Sequence, residues 1–587
     1  MDDVTRHGAL APDRRTSPTG PVTANLEARM ARSLVRSATR NRMRAYLIAI
    51  VALIWFALTS TGSYLGSHEP SVGGKIGDAL YNSLTFLGPR DGYGGVGRYP
   101  RMPTLLWWGR FFGVALSMIA IFWAALYQSR RYLAGFLIQS RARGHIVVLS
   151  ANGFADALAR GSAEQGHCVV LVEEGVSSDR IVDLGRAGVV VMPADATLDQ
   201  WLDNCRIADA ARVISWIEND SLSLSSSFLA RRQLRARGAE IAVRLDNAEM
   251  QRALRNAPEL LQTDQGRLRP VSPTAAAVRA AFSDAQLIDA AMRRQAARVH
   301  VVLHGSATAL GVVASTILRH YGSIHLAMPM VSWDIGADDS AWTAWRRHHY
   351  SFLEHGRVVF GDEDAPTITR VPDGAGADLD EVALHVVDQG ADDRTIAAAF
   401  DLASMLAQRQ ARPPAVRAIL RDAHASRELM VHASTLAFAP PILINAETSF
   451  DALLHGEAEA KAARLHRAYV DNGASNAASA RDWGDLGETF VEASRASADH
   501  GAIKAFDVAA GVAAGLDRAT LIDQLAQAEH RRWSVERLLD GWAPATERNN
   551  ERRLHDKLRP WRDLSDADRD KDVAAVELMI GRLLSDG

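Results

Sequence analysis

The stretch Ser150-Ala-Asn152-Gly-Phe-Ala155 follows the apolar run Ile146 to Leu149, and the acidic pair Glu173-Glu174 closes a second apolar run, Cys168 to Val172. A strand–turn–helix–strand unit uses this order to hold a dinucleotide: small turn residues let backbone N–H groups reach a pyrophosphate, and a carboxylate about 20 residues on takes a ribose diol. Ser150 and Asn152 occupy the first two turn positions, where glycine is usual, and Ala155 the third. A side chain at the second position hinders approach of a pyrophosphate, so two readings stand: a live nucleotide site, or a nucleotide fold kept for assembly. A second group able to do chemistry lies near the C-terminus, where His530, Trp533, Trp542, Arg548, Arg552, Arg553, His555 and Trp561 follow one another. Aromatic faces beside guanidinium groups can sandwich a base and hold a phosphate or an acidic peptide. The same tryptophans can equally form a core while the arginines pair with Asp563, Asp566, Asp568 and Asp570. Nucleophile-elbow, zincin and Walker A runs are absent, and His304, His320, His348, His349 and His355 lack metal-ligand helix spacing. The chain reads as a binding protein rather than an enzyme, with no catalytic residue and no metal.

The elements that must position these residues alternate in type. Beyond Glu174, a strand pattern at Val189–Met192 runs into Ala194-Asp195-Ala196-Thr197, a helix carries Leu202 and Cys205, and another strand spans Ala210–Trp216. The alternation begins again at Val299–His304, which enters Gly305 to Gly311 and a helix to His320. Strand patterns follow at Ile324 to Asp334, at Val358–Asp362 and at Val382–Asp388. Two α/β nucleotide folds in tandem are expected. Gly305 and Gly311 mark either a ligand turn or tight turns without a ligand. Glu457–Val470 reads as an amphipathic helix, and Asn472–Ala480 as a loop.

The 587 residues have a formal net charge of −3, with mean hydropathy −0.08. That balance gives no bias toward nucleic acid. Two cysteines, Cys168 and Cys205, exclude a disulfide scaffold and a cysteine-rich zinc site. The average conceals two uncharged apolar runs, Ala45–Gly62 and Phe111–Tyr127, each about the length of a bilayer core. Arginines crowd the outer ends of both, Arg36, Arg40, Arg42 and Arg44 before the first and Arg130, Arg131, Arg141 and Arg143 after the second. The positive-inside tendency then places both termini in the cytoplasm of a multi-pass protein of the cell's inner membrane. Between the runs, Gly77–Gly95 combines a short amphipathic helix pattern with glycines, the layout of a re-entrant pore segment or of an extracellular turn.

Three resemblances follow. The membrane segment resembles two-helix potassium channels: Asp78, Ala79, Leu80, Tyr81 and Ser83 are similar to a pore-helix start, and Gly92, Tyr93 and Gly94 to the end of a TVGYG filter. Pro89, Arg90 and Asp91 stand where filter carbonyls should be. Residues Gly144 to Leu254 resemble the Trk-type NAD-binding, or regulator of potassium conductance, domain. That resemblance implies a ribose at Glu173 and a ligand near Asp195, with Ala194 replacing the family's glycine. Leu516 to Leu584 resembles the ryanodine receptor repeat (RyR) domain. Leu525, Ala526, His530, Trp533, Gly541, Trp542, Arg548, Arg553, His555 and Leu558 match its pattern, while Gln527, Ala545 and Asp556 depart from it.

The resulting map has a basic tail over 1–40 expected to be disordered, a membrane domain over 41–140, nucleotide folds over 144–290 and 299–450, a helical linker over 455–510 and a mainly helical RyR-like domain over 515–587. The resemblances imply a homotetramer in a lipid bilayer, a monovalent cation as permeant ion, and NAD or another small nucleotide as cytoplasmic ligand. They imply a ligand-gated channel; the alternative is a non-conducting membrane-anchored sensor or a nucleotide-triggered membrane effector in defence.

Overall fold

The computed structural model describes residues 56–57, 60–61, 64, 70–85, 118–119, 122, 138 and 142–585, less 152, 154, 197–201, 203, 236–238, 264–265, 337, 362–364, 372–380, 411, 423–436, 445–456, 472–479 and 484–485. Most of the two apolar runs, and Gly92, Tyr93 and Gly94, lie outside these residues. Among the described residues no helix is long and apolar enough to cross a membrane. Helix α1, Val72–Thr85, contains Asp78, Tyr81 and Ser83, so the amphipathic pattern between the runs is helical.

The chain divides into two compact units, one of Met1–Trp216 with Ser225–Glu240 and one of Ile217–Leu224 with Ile241–Gly587. In the first, β1 (Ile146–Ser150), α2 (Asp156–Glu164), β2 (Val169–Val172), α3 (Ser178–Ala187), β3 (Val189–Met192) and β4 (Arg212–Trp216) give a parallel sheet of order β3-β2-β1-β4. Strands β1 and β2 are buried throughout, as expected of unbroken aliphatic runs in a sheet covered on both faces. Helix α3 starts where the Ser177 hydroxyl accepts the Arg180 N–H at 3.3 Å, and stops at Gly188, whose φ of 96° suits a residue without Cβ.

β5 is Glu240–Arg244. In the second unit, β6 (Gln262–Thr263) pairs antiparallel with β7 (Gly266–Val271). A six-stranded parallel sheet follows, of order β10-β9-β8-β11-β12-β13. Its strands are β8 (Arg298–His304), β9 (Ala327–Asp334), β10 (Thr367–Arg370), β11 (Val382–Val387), β12 (Ala415–Leu420) and β13 (Ile442–Leu443). Helices α4 (Thr308–His320), α5 (Ser340–His348), α6 (Tyr350–Phe360) and α7 (Asp392–Arg409) intervene. The expected strand at Val358–Asp362 is instead the end of α6. Phe352, Gly356 and Val359 are buried at helical spacing while Val358 is 65% exposed, so the longer helical period overrides two β-branched residues.

Helices α8 (Glu457–Asp471), α9 (Glu488–Asp499) and α10 (Gly501–Ala513) precede the C-terminal pair α11 (Arg518–Leu539) and α12 (Asp566–Ser585), whose connection carries a short ladder of β14 (Ala543–Pro544) and β15 (Leu554–His555). Val535, Leu538, Leu539, Trp542 and Leu558 belong to one hydrophobic core with Leu310, Val313, Ile317 and Phe352 of the second sheet's helices. The Asp507 carboxylate of α10 accepts from Ser323 Oγ at 2.6 Å and from the Ile324 N–H at 3.2 Å. Helix α10, which begins inside the segment expected as a helical linker, is thus bonded to the chain just after α4.

Candidate functional site

Both folds place the carboxyl end of their central strand where a nucleotide would bind, and the two ends differ in what occupies them. In the first fold the Glu173 carboxylate, 1% exposed, is already engaged. It accepts the Gly153 N–H at 2.8 Å, and Arg180 clasps it at 2.5 and 2.8 Å. Arg180 also binds Asp156 at 2.7 and 2.5 Å. Burial alone would raise the Glu173 carboxyl, but the hydrogen bonds from Arg180, Gly153 and Ser150 hold it below the ordinary carboxylate range. The Ser150 hydroxyl in turn accepts the Ala155 N–H at 3.2 Å. Gly153 has φ 77°, and a Cβ there would lie 3.3 Å from the Arg180 guanidinium carbon. Asp195 is half-buried, next to Ala194, whose N–H binds the Glu173 carbonyl at 3.3 Å. Ser150, Ala155, Glu173 and Asp195 are thus brought to one edge, with Arg180 bound at the carboxylate; Asn152 lies outside the described residues.

The second fold is open at the equivalent place. Strand order reverses at β8, with β9 on one side and β11 on the other, which makes a crevice at the carboxyl ends. A cavity of about 380 Å³ lies there, lined by His304, Gly305, Ser306, Asp334, Gly336 and Gln389 among others. That volume falls within the roughly 300–1,000 Å³ of small-ligand pockets. Gly305 has φ 122°, and a Cβ on it would lie 2.1 Å from the Asp388 carbonyl oxygen, so only glycine brings the chain this close to β11. The Trp333 indole N–H fixes the Gly305 carbonyl at 2.9 Å. Gly311 lets α4 approach the ring of Trp345, where a Cβ would lie 3.1 Å from the nearest carbon.

Asp334 ends the second strand of this fold, the position of a ribose carboxylate, and its side chain is 46% exposed. His304 contacts it, Nδ1 to Oδ2, at 3.3 Å, and His304 Nε2 lies 2.9 Å from Nδ1 of the buried His385. The His304 hydrogen bond lowers the Asp334 pKa, so the carboxylate is charged and has an oxygen to spare. Burial, followed by the charges of His304 and His300, pushes the His385 imidazole down to about 3. Among the described residues His385 Nε2 has no partner, so the tautomer that avoids an orphaned N–H puts the proton on Nδ1, donating to His304. Asp388, at the end of β11, is fully buried and held by both nitrogens of Arg421 at 3.0 and 2.8 Å. Sequence reasoning placed Gly305 and Gly311 in a turn but not Asp334 or His304 in a site; the signal was the repeated strand–glycine–helix–strand order ending in an acid.

At the C-terminus, the expected ligand residues converge, and most already have partners. The His530 ring stacks on Trp533 with centroids 5.7 Å apart, and its Nε2 donates to the Arg559 carbonyl at 3.0 Å. His555 meets the edges of Trp533 and Trp542 at 4.9 and 5.8 Å. Burial, then the charges of Arg548 and Arg537, lower the His555 pKa to about 4. Trp542 is 4% exposed, and Arg553 pairs with Asp540 at 3.6 Å. Arg548 is exposed and donates its Nε–H to Asn550 at 2.8 Å. Sequence reasoning did not nominate Arg537, which lies between Trp533 and Trp542.

Among curated proteins none matches the chain. Solved structures resemble it weakly. One of GsuK bound to ADP has 15% identity over 70% of this chain and 98% of that one, with TM-score 0.34. One of the GsuK channel bound to NAD has 12% identity over 71% and 83%, with TM-score 0.34, and one of the GsuK RCK domain has 12% over 54% and 76%, with TM-score 0.33. Two family models match: the TrkA-N domain over residues 146–259 and the RyR domain over residues 512–587. Residues 146–259 therefore carry a TrkA-N domain of the Trk-type NAD-binding kind, and residues 512–587 a RyR domain.

Proposed function

We propose that the chain is a nucleotide sensor controlling a membrane segment, a ligand-gated protein of potassium-channel type at the cell's inner membrane, with both termini cytoplasmic and four copies around a pore. The observation that carries the sensing reading is the exposed Asp334 carboxylate facing a cavity at the carboxyl end of β8, beside the Gly305 turn that closes onto Asp388. Binding there favours whichever conformation holds the ligand more tightly, and the response is limited to that difference in affinity. No catalytic step belongs to this reading.

Calorimetry of the full chain in detergent with NAD, ADP and ATP tests it. Asp334→Asn is expected to weaken nucleotide binding about tenfold, the usual loss for a charge-assisted hydrogen bond. Glu173→Gln is expected to leave it unchanged. The opposite pattern would move the site to the first fold, and no binding by the native chain would remove the reading. A second reading, a sensor that conducts nothing, is favoured by Pro89, Arg90 and Asp91 in the filter-like stretch. Nucleotide-dependent cation flux into liposomes containing the chain separates the two.

A further inference from the structure

The carboxylate that faces the crevice is backed by two histidines in a row. His304, the last residue of β8, donates its Nδ1–H to Asp334 Oδ2 at 3.3 Å, and its Nε2 lies 2.9 Å from Nδ1 of His385 on β11. The two rings are 28° from coplanar with centroids 5.1 Å apart, so the second bond runs nearly in the plane of each. Exposure falls along the row: the Asp334 side chain is 46% exposed, that of His304 19%, and His385 1%. Asp334 is thus oriented from behind while it keeps lone pairs toward the cavity that both it and His304 line.

The charged groups around His304 are held in place by other partners. On β8 itself, His300 is bonded through Nε2 to Ser332 Oγ at 2.8 Å. Beyond β9, Asp338 accepts the Ser340 N–H at 2.9 Å. At the end of β11, Asp388 is paired with Arg421, which also meets Asp392 of α7 at 3.7 Å. Arg294 donates to the Arg412 carbonyl at 2.8 Å, and on the helix Gln286–Arg293 that packs on β8, Asp289 and Arg293 pair with each other. The cavity-lining residues of α7, Ala398 and Leu402, carry no charge, and α4 opens with Thr308, Ala309 and Leu310. A second proton on His304 would enter on Nε2 and point at Nδ1 of His385. His385 could accept it only by carrying its own proton on Nε2, which is buried and without a partner among the described residues. An orphaned N–H is disfavoured, so this arrangement suits a neutral His304, whose N–H orients Asp334 without cancelling its charge. A cationic His304 would form an ion pair with Asp334, and a hydroxyl donor in the cavity would meet a neutralised pair. A hydrogen bond to a free ionised acceptor is about twice as strong as one between neutral groups.

We propose that His304 is the positioning residue of the crevice: through its bonds to Asp334 and His385 it makes the binding of a vicinal diol, as in the ribose of a nucleoside, depend on His304 holding a single proton. The inference rests on Asp334 being the ligand carboxylate and adds what sets the charge it presents. The two flanking groups keep their charge between pH 6 and 8. Burial, followed by the charges of His304 and His300, pushes His385 down to about 3, and the hydrogen bond from His304 holds Asp334 below the ordinary carboxylate range.

The test is calorimetry of the full chain in detergent between pH 8 and pH 6 with adenosine, which offers the diol without a phosphate, and with 2′,3′-dideoxyadenosine and ADP in parallel. Binding selects the neutral imidazole, so adenosine should bind about fivefold more weakly at pH 6 than at pH 8 and should release protons, read from the dependence of the heat on the buffer. Dideoxyadenosine should bind more weakly than adenosine at pH 8 and release none. His304→Asn keeps an N–H where Nδ1 stood and does not titrate; it should retain adenosine binding and lose both the pH dependence and the proton release. His385→Asn gives His304 an amide that can turn its oxygen toward Nε2, so the fall in affinity should move to higher pH by about one unit. An adenosine affinity that is level from pH 8 to pH 6, that rises toward pH 6, or that falls equally in His304→Asn would overturn the proposal. So would dideoxyadenosine binding as tightly as adenosine, an unmoved profile in His385→Asn, or ADP binding without adenosine binding; in each case ADP binding that is lost in Asp334→Asn would still uphold the sensing reading. A native chain that takes up neither adenosine nor ADP would remove both.

Discussion

Two residues show how a carboxylate's surroundings decide its use. Glu173 and Asp334 end equivalent strands, but Glu173 is sealed under Arg180 while Asp334 faces a cavity. Glu173→Gln removes one side of a buried pair, so melting of the first unit should show a loss of roughly 3 kcal/mol. An unchanged melting point would mean that Arg180 is equally content with Asp156 alone. Gly305→Ala places a methyl 2.1 Å from the Asp388 carbonyl at a φ of 122°. Overpacking and a left-handed backbone together should cost about 3 kcal/mol and distort the crevice, read as lower stability with weaker nucleotide binding. At this scale the sequence was partly legible. The acid after the second strand could be found by counting, and was found in the first fold. Its capture by Arg180 could not be, because the guanidinium over Glu173 is also held by Asp156 of α2, 24 residues away, and the three groups meet only once α2, β2 and α3 have folded.

Among the elements, α9, α10 and α11 meet through buried charges. Glu529 of α11 accepts from Lys504 Nζ of α10 at 2.6 Å and from Arg532. Burial would raise the Glu529 carboxyl, but the charges of Arg532 and Lys504 hold it far below its usual range. Arg279 binds Asp499 of α9 at 2.7 and 3.0 Å. His500, wholly buried beside Lys504, Glu529 and Arg532, donates its Nε2–H to the Gly322 carbonyl at 2.9 Å. Burial and then Lys504 push its pKa down to about 3. Below about pH 6.5 the unfolded histidine binds a proton that the native one refuses. His500 therefore contributes stability that is complete above pH 6.5 and declines toward pH 3 by about 1.4 kcal/mol per pH unit. His349, also lowered to about 3 by burial and donating its Nδ1–H to the Leu539 carbonyl at 2.8 Å, adds to the same trend. Melting temperature should fall between pH 6.5 and 4.5, and His500→Gln should flatten that slope; an equally steep slope in the variant would assign the effect elsewhere. Strand and helix order was readable wherever apolar runs were long, as in β8 and β11. It failed at Val358, where two valines looked like a strand and the period of Phe352, Gly356 and Val359 was the stronger signal.

At the scale of the second unit, the RyR domain is built into the nucleotide fold. Ser351 of α6 donates to the Trp542 carbonyl, and Val535, Leu538 and Leu539 share a core with Val313 and Ile317. Each such aliphatic side chain contributes about 1.5–3 kcal/mol when buried. A chain ending at Ala514 should therefore bind a hydrophobic dye and lose its sharp melting transition, whereas the full second unit should melt in one step. A truncated chain that stays monomeric and melts cooperatively would contradict this. Composition and motif spacing revealed the two nucleotide folds and the RyR pattern, but not their fusion, since a helix facing a neighbouring domain has the same apolar stripe as one facing its own. The common core carries a further consequence for how such proteins diversify. A recombination event that transplants residues 512–587 alone would bring half an interior to a host lacking its mate, so the heritable cassette is the fold and its tail together.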